Sequence, residues 1–128
     1  MENKVNEINL EIIFIHSDKD LNVDHRIANH AVLTATRPFG SNIVKRMYAF
    51  EIPSSTEWFY LLRFAPNLFF NISDTIDIKL NALKKYINEM KLYPHPRSIE
   101  GVKLMAENWG IKVGYPFAKA FEVIRILD

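Results

Sequence analysis

The sequence predicts an α/β layer fold, a sheet covered by helices, and places its strands in a larger sheet than they make alone. Runs of strand type alternate with stretches of helical periodicity in the order β-α-β-β-α-α-β, which is the mark of α/β architectures. The first run, Leu10 to Ile15 (LEIIFI), is almost continuously apolar, as in parallel strands buried on both faces. Few helical segments are available to cover such a sheet, so the chain reads as one partial domain, residues 1–128.

The elements follow in order. Residues 1–8 read as a polar lead-in to the Leu10 strand. That strand ends abruptly in His16-Ser17-Asp18-Lys19-Asp20. A helix follows, with Asn22 as N-cap and Asp24 in its first turn, where the helix dipole favours an acid. Ile27, Ala28, Ala31, Val32 and Ala35 form its predicted apolar face, and Pro38 and Gly40 stop it. Lys45 to Ile52 is a second strand, ended by Pro53. Phe59 to Phe64 is apolar without a clear period, and Asn67 to Ile72 is a short strand. Ser73 is expected to cap a helix whose stripe Ile76, Leu80, Leu83, Ile87 and Met90 is core. Ser98 caps another, with Ile99, Val102, Met105, Ala106 and Trp109 inward and Gly110 as C-cap. The tail, Ala120 to Leu127, suits a strand or a short helix.

Composition narrows the function classes. Of the 128 residues, 48% are hydrophobic and 24% charged, with a formal net charge of +1. That balance gives no field to draw nucleic acid or an anionic membrane. No apolar run approaches the roughly 20 residues of a membrane span. Met1 to Glu11 does not resemble a secretory signal, so a cytoplasmic location is expected. There is no cysteine, which leaves His, Asp and Glu as metal ligands.

Chemistry is expected outside the C-terminal end of the first strand, where open α/β sheets bind ligands. His16, Asp18, Asp20, Asn22, Asp24 and His25 crowd this turn. Such groups suit a zinc site, and they equally suit a polar surface turn whose Asp and Asn cap a helix. His25 and His30 lie on different faces of the predicted helix and make poor joint ligands.

Asp20-Leu21-Asn22-Val23-Asp24-His25-Arg26-Ile27, then Ala31-Val32-Leu33-Thr34-Ala35 and Arg37-Pro38, resembles the second metal motif of the PIG-L (LmbE-like) zinc-dependent de-N-acetylases. Glu51-Ile52-Pro53-Ser54-Ser55-Thr56-Glu57-Trp58 is similar to a signature of one bacterial branch. So are Ala65-Pro66-Asn67, Asn71-Ile72-Ser73, Ala82-Leu83-Lys84 with Tyr86 and Glu89, and Pro94-His95-Pro96-Arg97-Ser98. The resemblance runs from about Leu10 to the end. It implies a Rossmann-like three-layer fold and a single Zn2+ held by a His and an Asp of an N-terminal His-Pro-Asp-Asp-Glu segment and by a third histidine, here His25. It also implies hydrolysis of the acetamide of N-acetylglucosamine-type amino sugars, with an Asp of the N-terminal segment as general base. Within that implied site, Asp24 is the candidate catalytic or imidazole-orienting carboxylate, or simply a charge at the helix start. Asn22 stands where other branches carry a histidine. Arg37 is a candidate substrate contact or a helix C-terminal cation. Ser54, Ser55, Thr56 and Trp58 suit sugar binding, as hydroxyl partners and a stacking ring, and equally suit a polar turn with an aromatic anchor. His95 and Arg97 sit on a proline-braced loop that either reaches a substrate or is solvated.

No His-Pro-Asp-Asp-Glu segment occurs in these residues, and Lys119 replaces the acid of a family Ala-Glu-Ala-Phe block. The expectation is an N-terminally truncated form of the fold. It pairs with a complementary N-terminal half or with itself, or it is an inactive remnant or a sugar-binding module.

Overall fold

The structure, a computed structural model, describes residues 2–40 and 43–128. The hydrogen-bonded order of its four strands is β1-β2-β4-β3, where β1 is Ile12–His16, β2 Arg46–Phe50, β3 Leu68–Asn71 and β4 Ala118–Ile126. The helices are α1 (Glu2–Ile8), α2 (Val23–Ala35), α3 (Ile76–Leu83) and α4 (Ile99–Ile111). The alternation read from the sequence is present, and the tail is a strand. The chain forms two compact units, residues 1–67 with 121–128, and residues 68–120.

In the first unit β1 and β2 are parallel, with Ile13 opposite Met47 and Ile15 opposite Ala49. Successive strand residues point to opposite faces, so these four share one face. That face is covered: Ile15, Met47 and Ala49 are buried, and Val5, Val44 and Met47 form a core with Leu10, Ile13 and Val32. The opposite face departs from the expected two-sided burial, since Ile12 is 43% and Phe14 51% exposed. Phe14 there meets Tyr48 and Phe121 at ring separations of 5.4 and 5.2 Å. The C-terminal part of β4 lies antiparallel to β2, with a bulge between Met47 and Tyr48.

The expected polar lead-in is instead α1, apart from Met1, which lies outside the described residues. Its polar composition hides the one anchor that matters, Val5 in the core with Val44 and Met47. Asn22 caps α2 as expected, accepting from the Asp24 amide at 2.8 Å. Of the predicted apolar face, Ala28, Ala31, Val32 and Ala35 are half-buried and Val32 joins the core, but Ile27 is 60% exposed, and Asn29, which was not predicted, is buried with its amide on the His16 carbonyl at 2.8 Å.

In the second unit, Ile76, Leu80, Val102 and Ala106 form a core with Ile72, Leu83, Ile99 and Phe117. Ser98 caps α4 by accepting from Gly101 N at 2.9 Å. Three expectations are corrected. The Ile76 stripe ends at Leu83 and Ile87 is 82% exposed, because the chain tightens there into turns such as Tyr86 N to Leu83 O. Ser73 does not cap α3; its hydroxyl donates to the Asn71 side chain at 2.6 Å, and the N-cap is Thr75. Gly110 is also inside the last turn of α4 rather than at its C-cap, which is Lys112.

Candidate functional site

The site grows from the chain's exit off β1. Ser17 is buried and still bound to the strand pair through its amide on Phe50 O at 3.0 Å. Its hydroxyl accepts from Lys19 N at 3.1 Å, turning the chain, and the Lys19 ammonium meets Glu122 of β4 at 2.5 Å. The turn brings Asp20 inward until it is 0% exposed. A buried carboxylate is tolerated only when its oxygens are well supplied with donors. Asp20 accepts from Asn22 N at 2.9 Å, from the Ser55 hydroxyl and from the Thr56 hydroxyl at 3.1 Å. His25 Nδ1 is buried 3.1 Å from the second oxygen, in contact with it but outside hydrogen-bond geometry.

The loop after β2 is shaped to meet this carboxylate. Ile52 N donates to Thr56 Oγ1 at 2.8 Å, and the Ser54 and Ser55 amides donate to the Glu57 carboxylate at 2.8 and 3.2 Å. Ser54 holds a left-handed φ of 67° to close the turn. Leu21 N donates to Ser55 O at 3.2 Å, so backbone joins backbone beside the Asp20 bonds. The Arg26 guanidinium closes the far side, donating to the carbonyls of Asp20 and Leu21 and lying 5.3 Å over the Phe59 ring.

His25 and His16 stack, with ring centroids 4.2 Å apart and planes 14° from parallel. His16 also packs at 4.9 Å on Phe50. Stacked rings do not aim their nitrogens at one point, and no group of three His, Asp or Glu able to hold a metal occurs among the described residues. The residues present fit one corner of a zinc site. They supply an imidazole whose Nδ1 lies against a buried carboxylate, which would leave Nε2 to meet a metal, the arrangement that metal-bound histidines use.

The sequence-predicted residues separate accordingly. Asn22, His25, Ser55 and Thr56 are brought together around Asp20. The Ser55 and Thr56 hydroxyls are buried and committed to that carboxylate, so their role is structural rather than sugar-facing. Asp24 is exposed in the first turn of α2, and the carboxylate that orients His25 is Asp20. Arg37 Nε donates to Thr34 O at 3.1 Å near the end of α2, as a C-terminal cation does. Ser54 is half-buried and Trp58 is on the rim of exposure. His95 and Arg97 belong to the second unit. There His95 Nδ1 accepts from Arg97 N at 3.0 Å, and Arg97 pairs with Glu89 at 2.8 Å. Asp20 is the residue that sequence reasoning placed in the polar turn without a role. Its spacing two residues before an N-cap asparagine is the signal of an Asx turn.

Burial pushes the Asp20 carboxyl up, but the Ser55 hydroxyl, the Asn22 amide and His25 outweigh it and hold it below its ordinary 3.8. His16 is held below its ordinary 6.5, first by burial and then by the neighbouring His25, with Asp20 acting the other way. Both signs run one way. A lowered histidine is neutral in the fold and takes up its proton on unfolding, so its stabilisation is complete above 6.5 and is lost as pH falls towards the folded value. The lowered Asp20 adds stability that is complete above 3.8 and is lost as pH falls through its folded value. Thermal midpoints should therefore hold above pH 7, begin to fall near 6.5 and fall again below 3.8. In His16→Gln the upper step should vanish and the lower remain. A wild-type midpoint constant from about pH 7 to 5 contradicts the His16 assignment.

A scan against protein-family models finds no match for the chain, and a search of curated proteins finds none. Among solved structures, the fold is similar to the crystal structure of the conserved protein TT1542 from Thermus thermophilus. The TM-score is 0.75 at 20% sequence identity, over 99% of this chain and 57% of that one. This chain thus spans a little over half the length of that protein. At this identity the likeness shows a shared α/β fold. No described helix is long and apolar enough to cross a membrane.

Proposed function

We propose that the chain is the His25-bearing portion of a zinc-dependent de-N-acetylase of the PIG-L (LmbE-like) type, acting on the acetamide of N-acetylglucosamine-type amino sugars. One observation carries the reading. His25, in the motif-like block Asp20 to Ile27, stands past the C-terminal end of β1 with Nδ1 held by a fully buried carboxylate. That is how a ligand imidazole is prepared, and it is more than a surface histidine needs. When bound through His25 and further ligands, zinc would supply an acidified water and polarise the amide carbonyl. The chain's own residues do the rest of the work assigned to it. Asp20 lies against Nδ1 of His25 and restrains the ring, Ser55 and Thr56 fix Asp20, and His16 packs one face of the ring. Asp24 is exposed one residue from His25, and in this reading it would be the carboxylate that meets a substrate. Further ligands would come from residues beyond those described.

Equilibrium dialysis and an acetate-release assay on N-acetylglucosamine conjugates test the reading. The chain alone should hold zinc weakly and release no acetate, since a catalytic zinc takes three protein ligands. Addition of a polypeptide carrying a His-Pro-Asp-Asp-Glu strand should bring both, and His25→Ala should remove both. Zinc held equally well by His25→Ala sinks the proposal. Saturable binding of N-acetylglucosamine without any acetate release, with or without that polypeptide, favours the sugar-binding module instead.

A further inference from the structure

His25 Nδ1 lies 3.1 Å from the Asp20 carboxylate but outside hydrogen-bond geometry, so no directed bond between the two side chains sets their separation. The separation is set by the backbones from which they hang. The Ser55 and Thr56 hydroxyls grip the Asp20 carboxylate, and the His25 ring rides on α2. The main chain at residue 20 still has to be fixed to that helix.

The helical ladder of α2 does not extend back to Asp20. Arg26 N donates to Asn22 O at 3.3 Å, and the carbonyls of Asp20 and Leu21 come before that bond. They take their hydrogen bonds from a side chain instead. Arg26 Nη1 donates to both, to Leu21 O at 3.0 Å. Arg26 therefore holds the turn twice, once by its amide and once by its guanidinium. The guanidinium also lies 5.3 Å over the centre of the Phe59 ring. Phe59 N donates in turn to Thr56 O at 3.3 Å, in the loop whose hydroxyls bind Asp20. One side chain thus joins the turn after β1, the start of α2 and the loop after β2. Its backbone is the residue next to His25, and its tip is on the carbonyl of Asp20. Stability alone does not call for these ties. The Leu21 bond is exposed, and water can serve a carbonyl so placed nearly as well.

We propose that Arg26 is a positioning residue for His25: its guanidinium ties the turn to α2 at the spacing that brings the Asp20 carboxylate against Nδ1. Lysine does not replace it. An ammonium carries the charge, but it has neither the planar fork nor the flat face that lies on Phe59. The positioning of the ring follows from the geometry of the turn; its value to a metal rests on the reading under Proposed function.

Aromatic NMR of the full chain without metal, at one pH above the ordinary histidine range, reads the His25 ring directly. Val44→Ala is the comparison, because it opens the core of the same unit and lowers the unfolding midpoint without touching the turn. In Arg26→Gln and Arg26→Lys the His25 ring signals should move well beyond any shift in Val44→Ala, while the midpoint falls less than it does there. Phe59→Leu keeps the guanidinium and removes the ring beneath it. It should give a smaller shift of the same kind, and it decides the matter if the Arg26 variants fail to fold. Zinc affinity of the chain should fall about tenfold in Arg26→Gln, the low end for a residue that acts behind a ligand. His25 signals that move no more in Arg26→Gln and Phe59→Leu than in Val44→Ala overturn the proposal. Wild-type signals in Arg26→Lys overturn it equally, since a charge alone then suffices. Zinc held as well by His25→Ala as by wild type removes the deacetylase reading and leaves the positioning standing, because the ring is read without metal.

Discussion

Asp20→Ala should lower stability by about 3 kcal/mol, the largest effect of a single side-chain truncation in this protein. The carboxylate is 0% exposed and takes bonds from the Asn22 amide and from the Ser55 and Thr56 hydroxyls, with the His25 imidazole at 3.1 Å. Alanine leaves the Ser55 and Thr56 hydroxyls without their acceptor, the Asn22 amide keeping its 3.2 Å bond to Ser55 Oγ, and each orphaned buried donor costs about 1–3 kcal/mol. The hydroxyls can rotate and a water can enter the space left, which sets the sum below the arithmetic maximum. For a chain of this size the midpoint of thermal unfolding should fall by about 10 °C. Asp20→Asn keeps one acceptor oxygen and should cost roughly half as much. If the chain holds zinc as proposed, its affinity for zinc should fall about 10- to 100-fold in Asp20→Asn, because the imidazole loses the carboxylate beside it. A loss under about 1 kcal/mol in Asp20→Ala would falsify the structural role of this network.

The second large effect is Gly110→Ala in α4. Within a helix, alanine is favoured over glycine by about 1 kcal/mol. Here the added methyl would lie 2.4 Å from the Tyr115 carbonyl oxygen and 3.0 Å from Phe117 N. Neither obstacle is a flexible side chain. The returning segment is pinned to the same residue, since Val113 N and Tyr115 N both donate to Gly110 O, at 3.0 and 2.9 Å. Relief requires the start of β4 to move from the helix, so overpacking of about 2–4 kcal/mol outweighs the propensity gain. Gly114→Ala is the comparison: its φ of +81° disfavours a side chain, but nothing lies within 4 Å of the new methyl. It should cost about 1 kcal/mol. Chemical denaturation of the two variants should rank Gly110→Ala as clearly the worse; the reverse order contradicts the close approach.

Much of the architecture was legible because it is written in local patterns. Ile12 to His16 and Arg46 to Phe50 announce themselves as strands, and Asn22 and Ser98 as N-caps. What escaped depends on contacts far apart in sequence. Seven polar-rich residues become α1 because Val5 finds Val44 and Met47. The stripe to Met90 fails beyond Leu83, since periodicity states which residues could share a face and not whether anything covers it. In the same way His25 was visible from its own motif-like block, whereas its partner Asp20 was not. Ser55 and Thr56 resembled ligand-binding hydroxyls for the reason that makes them good partners for a buried carboxylate: short side chains that donate from a tight turn. Gly110 resembled a C-cap because glycine serves two purposes at a helix end, and only the approach of Tyr115 shows which one applies.

The reach of Asp20 also bears on time. Its bond to Ser55 spans 35 positions. It needs β1 and β2 to have met and the loop behind β2 to have closed, so Asp20→Ala is expected to speed unfolding more than it slows folding. Interactions made after the barrier do little to hasten folding; they slow escape from the native state. The carboxylate is thus a latch on the lifetime of the fold, and the imidazole beside it is held in place for as long as that latch stays shut.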